Sequence, residues 1–327
     1  MNKKISLVTC GLLLSTSMAF GADSIDEAFK TGSVSGDITL YGTKADNKGG
    51  TADTDASFAT TGIAYETASY MGLSAKAGFR AGHAFDDSTL ANDALMTEAY
   101  VKYANDMFSL TVGRQEIGLE WLGDYNEAIV AGITAVPDTT IVLGYVNQQA
   151  AADEDEIGDF AEVTEDGVYG ADVKYTGLSG VELNPYFYSA PDVADFYGSI
   201  AHVEASTSLA GISAALGYIK TDKTAGVASI SAYGDSISPF DNGVNTYSAD
   251  AKTVYGSLGY SVAGVDLGLL YGETDYSVNS EEKELNLTAG YSITDSLGLS
   301  LLYVKYDEEG SSSNDSDYAS ATLAYSF

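Results

Sequence analysis

Along much of this chain apolar residues fall at every second position, and the positions between them are filled by Gly, Ser, Thr, Asp or Glu. In the last such stretch Ala319, Ala321, Leu323, Tyr325 and Phe327 share one face, and Ser320, Thr322, Ala324 and Ser326 share the other. Val34, Gly36, Ile38 and Leu40 stand opposite Ser35, Asp37 and Thr39 in the same way, and Leu285, Leu287, Ala289 and Tyr291 opposite Asn286, Thr288, Gly290 and Ser292. A period of two is strand geometry, because successive side chains of an extended chain point to opposite sides of the sheet. The pattern predicts sixteen strands, at 33–43, 57–67, 73–84, 94–104, 108–114, 127–135, 139–147, 167–176, 181–189, 194–208, 212–221, 252–261, 265–275, 283–292, 297–306 and 317–327.

The connectors alternate between short ones, such as 68–72, 105–107 and 136–138, and long polar ones, such as 44–56, 115–126, 148–166 and 222–251, with 190–193 a short exception. Short turns on one rim, long loops on the other, an even strand count and both termini on the short-turn rim predict an all-β fold, a transmembrane antiparallel β-barrel. Eighteen strands are reached if 227–233 adds a hairpin arm within the longest connector. Closure has a physical reason: in lipid an open sheet edge leaves unpaired amides that cost several kcal/mol each.

Composition sharpens this picture. The chain has 327 residues with 47 acids, 15 bases and a formal charge of -32, a field that repels nucleic acid. Asn2, Lys3 and Lys4 precede an uncharged, mostly apolar run from Ile5 to Phe20, and Ala19-Phe20-Gly21 gives small residues for cleavage, so 1–21 is predicted to be a signal peptide. Residues 22–32 then form a short periplasmic segment and 33–327 the barrel. Without 1–21 the chain keeps 13 bases against 47 acids, a charge of -34, and loses its sole cysteine, Cys10. Within 22–32, Ile25, Ala28 and Phe29 have helical spacing, with Ser24 as N-cap and Glu27 completing a capping box.

A soluble β-sandwich is the competing fold. Against it, Tyr residues cluster toward the ends of the apolar faces (Tyr65, Tyr103, Tyr145, Tyr260, Tyr271, Tyr291, Tyr303), as in an interfacial girdle. The opposite faces carry charges in mid-strand, which a dry core does not bury unpaired.

At Asp23-Ser24-Ile25-Asp26-Glu27-Ala28-Phe29-Lys30-Thr31-Gly32, at Glu98-Ala99-Tyr100-Val101-Lys102-Tyr103, at Val112-Gly113-Arg114-Gln115-Glu116-Ile117 and at Tyr188-Ser189-Ala190-Pro191-Asp192-Val193-Ala194-Asp195, the chain resembles the Opr-type porins of Campylobacterota, distantly akin to OprD-like channels. The resemblance implies a location in the bacterial outer membrane, passive uptake of small solutes, a homotrimer, and a loop folded into the pore. It also implies that the C-terminal face ending in Tyr325 and Phe327 is read by the barrel-assembly machinery.

Alternation places Asp37, Glu66, Glu98, Asp172, Glu182, Glu204, Asp266 and Glu284 on the lumen face against Lys76, Arg80, Lys102 and Lys174, with His202 beside them. An acid excess favours cations. Lys76, Arg80 and Lys102 lie on adjacent strands and either create a transverse field, suited to small carboxylates or amino acids, or pair with Glu66 and Glu98. Arg114 opens a connector with the apolar residues Ile117, Leu119, Trp121 and Leu122, which is expected to fold inward and put Glu116, Glu120 and Asp124 near the eyelet. In the alternative, Trp121 belongs to the aromatic belt or to a subunit contact.

The acids of 153–166, with those of 46–55 and 307–317, read as a solvated extracellular face farther from the narrow point, where loosely held Ca²⁺ or Mg²⁺ would bridge to lipopolysaccharide phosphates. No cofactor is otherwise expected. With no His-Glu-x-x-His, Gly-x-Ser-x-Gly or phosphate loop, the chain is not expected to be an enzyme. A surface adhesin is the remaining alternative.

Overall fold

The computed structural model describes residues 21–48, 51–85, 88–118, 123–163, 165–178, 181–183, 186–189, 200–209, 211–221, 223, 239–241, 246, 248–276, 280–309 and 315–327. These form one short helix, α1 (Ile25–Lys30), and the extended segments β1 (Ser33–Asn47), β2 (Thr54–Glu66), β3 (Leu73–Phe85), β4 (Ala94–Ala104), β5 (Phe108–Glu116), β6 (Tyr125–Ile133), β7 (Thr139–Ala150), β8 (Ala161–Glu162), β9 (Val168–Leu178), β10 (Val181–Leu183), β11 (Tyr186–Ser189), β12 (Ile200–Leu209), β13 (Ile212–Thr221), β14 (Lys252–Val262), β15 (Val265–Tyr276), β16 (Ser280–Ser292), β17 (Leu297–Glu308) and β18 (Ser316–Ser326). Segment β8 is a two-residue piece of a loop, and β10 and β11 are halves of one interrupted strand, so the wall has the sixteen staves that alternation predicts. The possible extra arm at 227–233 lies outside the described residues.

Neighbouring staves are antiparallel from β1 to β7, from β7 to β9, from β9 to β10 and β11, and from β12 to β18. The last stave then returns to the first, in register from Asp37↔Ser326 to Asn47↔Ser316. Strand β1 is therefore paired on both sides, and the ends of the sheet meet as the lipid environment requires.

Burial separates the two faces of the wall. On β1, Val34, Ile38 and Leu40 are exposed while Thr39 and Tyr41 are buried; on β14, Val254, Leu258 and Tyr260 are exposed while Thr253 and Tyr255 are buried. Large apolar side chains thus stand outward, with Tyr103, Tyr260, Tyr271, Tyr291, Tyr303 and Tyr325 among them. This inversion of a soluble protein follows from the solvent being hydrocarbon.

The N-terminal segment sits on the β2–β3 turn. The Ser24 hydroxyl accepts from the Glu27 amide at 3.2 Å, and the Glu27 carboxylate accepts from the Asp23 amide at 2.8 Å, one residue before the partner an ideal capping box uses. Ala28 is buried, its carbonyl accepting from the Ala68 amide at 3.0 Å, and the Tyr65 hydroxyl donates to the Phe29 carbonyl.

Candidate functional site

The inner face of β3 presents Lys76, Gly78, Arg80 and Gly82 in alternation. Asp37 on β1 stands opposite Gly62 on β2, and Gly62 stands opposite Arg80, so the acid and the guanidinium meet over the glycine. Their contact is bidentate, Nη2 to Oδ1 at 2.7 Å and Nη1 to Oδ2 at 3.2 Å, and Nη1 also donates to Thr60 Oγ1 at 3.2 Å. A Cβ at Gly62 would lie 2.8 Å from Asp37 Oδ1 and 3.1 Å from Arg80 Nη2. The missing side chain is what lets the pair lie flat on the wall. One place along, Lys76 meets Glu98 at 2.9 Å beside a bulge in the β3–β4 ladder.

Of the pairings raised by the sequence, Lys76 with Glu98 is present, while Arg80 has Asp37 instead of Glu66 as its partner. Lys102 and Lys174 stand half-buried, Lys102 between Ser74 and Thr111 and Lys174 opposite Thr140.

From β6 to β9, three staves farther along, the inner wall is apolar. Ala128, Val130, Val142, Val146 and Val168 form a buried cluster with Ile117. The Ile117 amide donates to the Asp124 carbonyl at 2.9 Å, which closes the β5–β6 hairpin and lays Ile117 on that wall. Glu120 and Trp121 lie outside the described residues. Glu116 stands opposite Tyr125 in the ladder. Arg114 pairs with Glu127 at 2.7 Å, donates to the Met96 carbonyl at 3.3 Å, and lies 4.1 Å from the Phe160 ring centroid.

The connector between β7 and β9 goes farther than the sequence suggests. It leaves β7 as a hairpin, with β8 paired to Gln148 and Gln149, and turns at Asp153, whose Oδ1 accepts from the Asp155 and Glu156 amides at 3.0 and 2.9 Å. Ile157, just past this turn, is fully buried against the inner wall of β2 and β3. A Cβ at Gly82 would fall 2.9 Å from Ile157 Cδ1 and 3.0 Å from Thr60 Cγ2. Asn92 fixes the contact, donating to the Ile157 carbonyl from its backbone at 3.0 Å and from Nδ2 at 3.3 Å.

The acids of 153–156 are therefore carried with Ile157 to the inner wall of β2 and β3, whereas Asp159, Glu162, Glu165 and Asp166 are exposed. Burial, then the neighbouring Asp153, Glu156 and Glu116, push the Asp124 carboxyl up to about 6. Asp155 is pushed up to about 7 by burial and by Asp153 and Glu154. The hairpin enters the lumen because Ile157 and Phe160 have apolar and cationic seats there, and its acids are carried along.

On the other side, Phe240 is buried over Gly272, the Asp241 amide donates to Glu284 at 2.8 Å, and Asn286 donates to Asp241 at 2.6 Å. Glu284 and Asp172, expected to line open water, are on the inner face but buried. Glu282 is buried too, accepting from the Tyr306 hydroxyl at 2.9 Å. Glu182 lies on β10 and His202 and Glu204 on β12, with their side chains outside the described part.

Ile157, Phe160 and Phe240 were not singled out by sequence. A usable signal exists for the seat: 128–131 and 141–143 are apolar on both faces, which a lipid-facing strand needs only if something covers its inside. Among the described residues no three acidic or histidine side chains converge as a metal site.

The fold matches solved porins. OpdO of Pseudomonas aeruginosa superposes with a TM-score of 0.73 at 14% identity, over 92% of this chain and 98% of that one. OccAB3 of Acinetobacter baumannii gives 0.75 at 11% identity, over 91% and 99%, and a BenF-like porin of Pseudomonas fluorescens gives 0.70 at 10%, over 92% and 99%. At such identities the likeness speaks for the fold. No curated protein matches the chain. Residues 21–203, more than half of the sequence, match the HP_OMP_2 model of outer membrane proteins, and the chain belongs to that family, with the fold of a porin barrel and a place in the bacterial outer membrane.

Proposed function

We propose that the protein is a passive channel for small hydrophilic solutes and ions with a preference for cations, narrowed by the β7–β9 hairpin. The observation that carries this reading is the reach of that hairpin to Gly82 on the inner wall of β3, which sets acids beside a wall whose cations Lys76 and Arg80 are already paired. Arg80, Lys76 and Arg114 each have a carboxylate partner, whereas Asp124, Asp153, Asp155 and Glu156 crowd together. Paired bases present little net field to a passing anion, and the surplus acids attract cations. A homotrimer and insertion by the barrel-assembly machinery belong to the same reading through the family resemblance, cleavage of 1–21 through its basic start and apolar run, and contacts with lipopolysaccharide through the acidic loops. So does loose Ca²⁺ or Mg²⁺ at the acidic loops.

The test is a reversal potential in a planar bilayer under a KCl gradient, expected to report K⁺ over Cl⁻ and to weaken as salt rises. An anion-selective wild-type channel overturns the charge argument and favours a small-carboxylate pore lined by Lys76, Arg80, Lys102 and Lys174.

A further inference from the structure

The rim on which the termini lie carries apolar side chains where the fold does not require them. In the β2–β3 turn, Met71 (φ 52) and Gly72 (φ 84) are both left-handed, the geometry of a type I′ turn, in which the first position favours Asn, Asp or Gly. Met there gains nothing locally and is 78% exposed. Other tight turns of the same rim repeat the feature: Met107 between β4 and β5, Val136 between β6 and β7, Leu209 before the β12–β13 turn and Ile293 between β16 and β17 are all exposed. Next to Met71, α1 leaves Ile25 62% and Phe29 60% exposed.

This apolar surface is continuous with the lipid-facing band. Tyr65 stands opposite Val34, which is exposed on the outer wall, so the Tyr65 ring faces outward; its hydroxyl holds the Phe29 carbonyl. Segment 22–32 is thereby held at the outer edge of the rim, and the Ala22 amide, 2.8 Å from the Ser69 carbonyl, ties its start to the same turn. Apolar residues left in water along a whole rim are an aggregation liability, and a short amphipathic helix beside a membrane gains by burying its apolar face at the headgroup boundary.

We propose that this rim does not stand in the periplasm but is immersed in the inner-leaflet interface, with α1 as an interfacial anchor and the turn-tip residues Met71, Met107, Val136, Leu209 and Ile293 as a lower girdle. The occupant of the apolar surface is phospholipid. The consequence for function is mechanical: the mouth of the barrel is fixed at the membrane boundary, and tilting of the barrel would pull these side chains into water.

The experiment places single nitroxide labels at Phe29→Cys, Met71→Cys and Leu209→Cys, with Asp53→Cys in the β1–β2 loop as a water-exposed reference, all in a Cys10→Ser background. The protein is reconstituted in phosphatidylethanolamine–phosphatidylglycerol vesicles. Collision of each label with oxygen and with a polar nickel chelate is then compared. The ratio of oxygen to nickel accessibility is expected to be several-fold higher at the three rim positions than at Asp53→Cys. Rim ratios equal to that of the Asp53→Cys reference would overturn the proposal. Broadening of the rim signals that disappears on dilution with unlabelled protein would also overturn it, by showing a second copy of the chain on this surface. If Phe29→Cys fails to insert, the Met71→Cys and Leu209→Cys readings decide.

Discussion

At the scale of single residues, two loop carboxyls are expected to make the proposed constriction sensitive to pH. Asp124 and Asp155 are pushed up to about 6 and about 7 from an ordinary value of 3.8. Because their folded-state values are raised, the folded loop holds these protons more tightly than an unfolded chain does. The stabilisation is complete below the ordinary carboxyl value and is lost as pH rises through about 6 and 7. Lowering pH from 8 to 5 is therefore expected to reduce the K⁺ over Cl⁻ preference, by neutralising both acids, and to quiet the open-channel noise as the hairpin tightens. Asp124→Asn combined with Asp155→Asn is expected to remove most of this dependence, measured as reversal potential against pH; an unchanged profile in that variant assigns the titration elsewhere. Ile157 gives a second prediction. Ile157→Ala is expected to weaken the hairpin's seat by about 2–5 kcal/mol, the range for truncating a buried aliphatic side chain. Single-channel recording should then show larger, noisier openings with normal insertion, and Gly82→Val, which crowds the same seat, should reproduce them.

Among the elements, the staves were legible from sequence and the loops were not, for one physical reason. A strand between lipid and water must alternate, so the run Val34, Ile38, Leu40 declares its outer face and Asp37, Thr39 its inner face without reference to the rest of the chain. A loop's course depends on a seat that distant strands assemble. The Ile157 seat is made by Gly82, Thr60 and Leu90, none of which is unusual in its own segment. Likewise, the meeting of Asp37 and Arg80 over Gly62 requires the register of three strands, which periodicity leaves open. Ile117 lies on the inner wall, as the apolar residues beside it in the sequence lead one to expect, while 119–122 lie outside the described residues. The larger excursion at 151–163 was masked by its own acids, which read as a solvated surface. Replacing 151–160 by a Gly-Ser linker is accordingly expected to raise conductance more than deleting 118–123, with heat-modifiable migration retained in both. The opposite order in single-channel conductance would return the eyelet to the β5–β6 hairpin.

For the whole molecule, the decisive element is the seam where β18 meets β1. It runs in register from Asp37↔Ser326 to Asn47↔Ser316, and beyond it Phe327 and Gly36 exchange backbone hydrogen bonds, each 3.0 Å, with the Phe327 ring over Gly36. Loss of Phe327 removes only this last pair, a net effect of about 1–3 kcal/mol at roughly 0.5–1.5 kcal/mol per bond, against a ladder that otherwise remains intact. Purified chain lacking Phe327 is therefore expected to refold in detergent with strand-dominated circular dichroism and a heat-modifiable band. In cells the expectation differs under the proposal that the exposed Tyr325 and Phe327, with ring centroids 6.1 Å apart, are offered to the assembly machinery before the seam closes. Membrane levels of the deletion should fall sharply and periplasmic aggregates should appear, while Phe327→Tyr or Phe327→Trp, which keep an aromatic end, should restore much of the insertion. Failure to refold in detergent would make Phe327 a structural residue of the seam, and wild-type membrane levels of the deletion would remove it from recognition altogether.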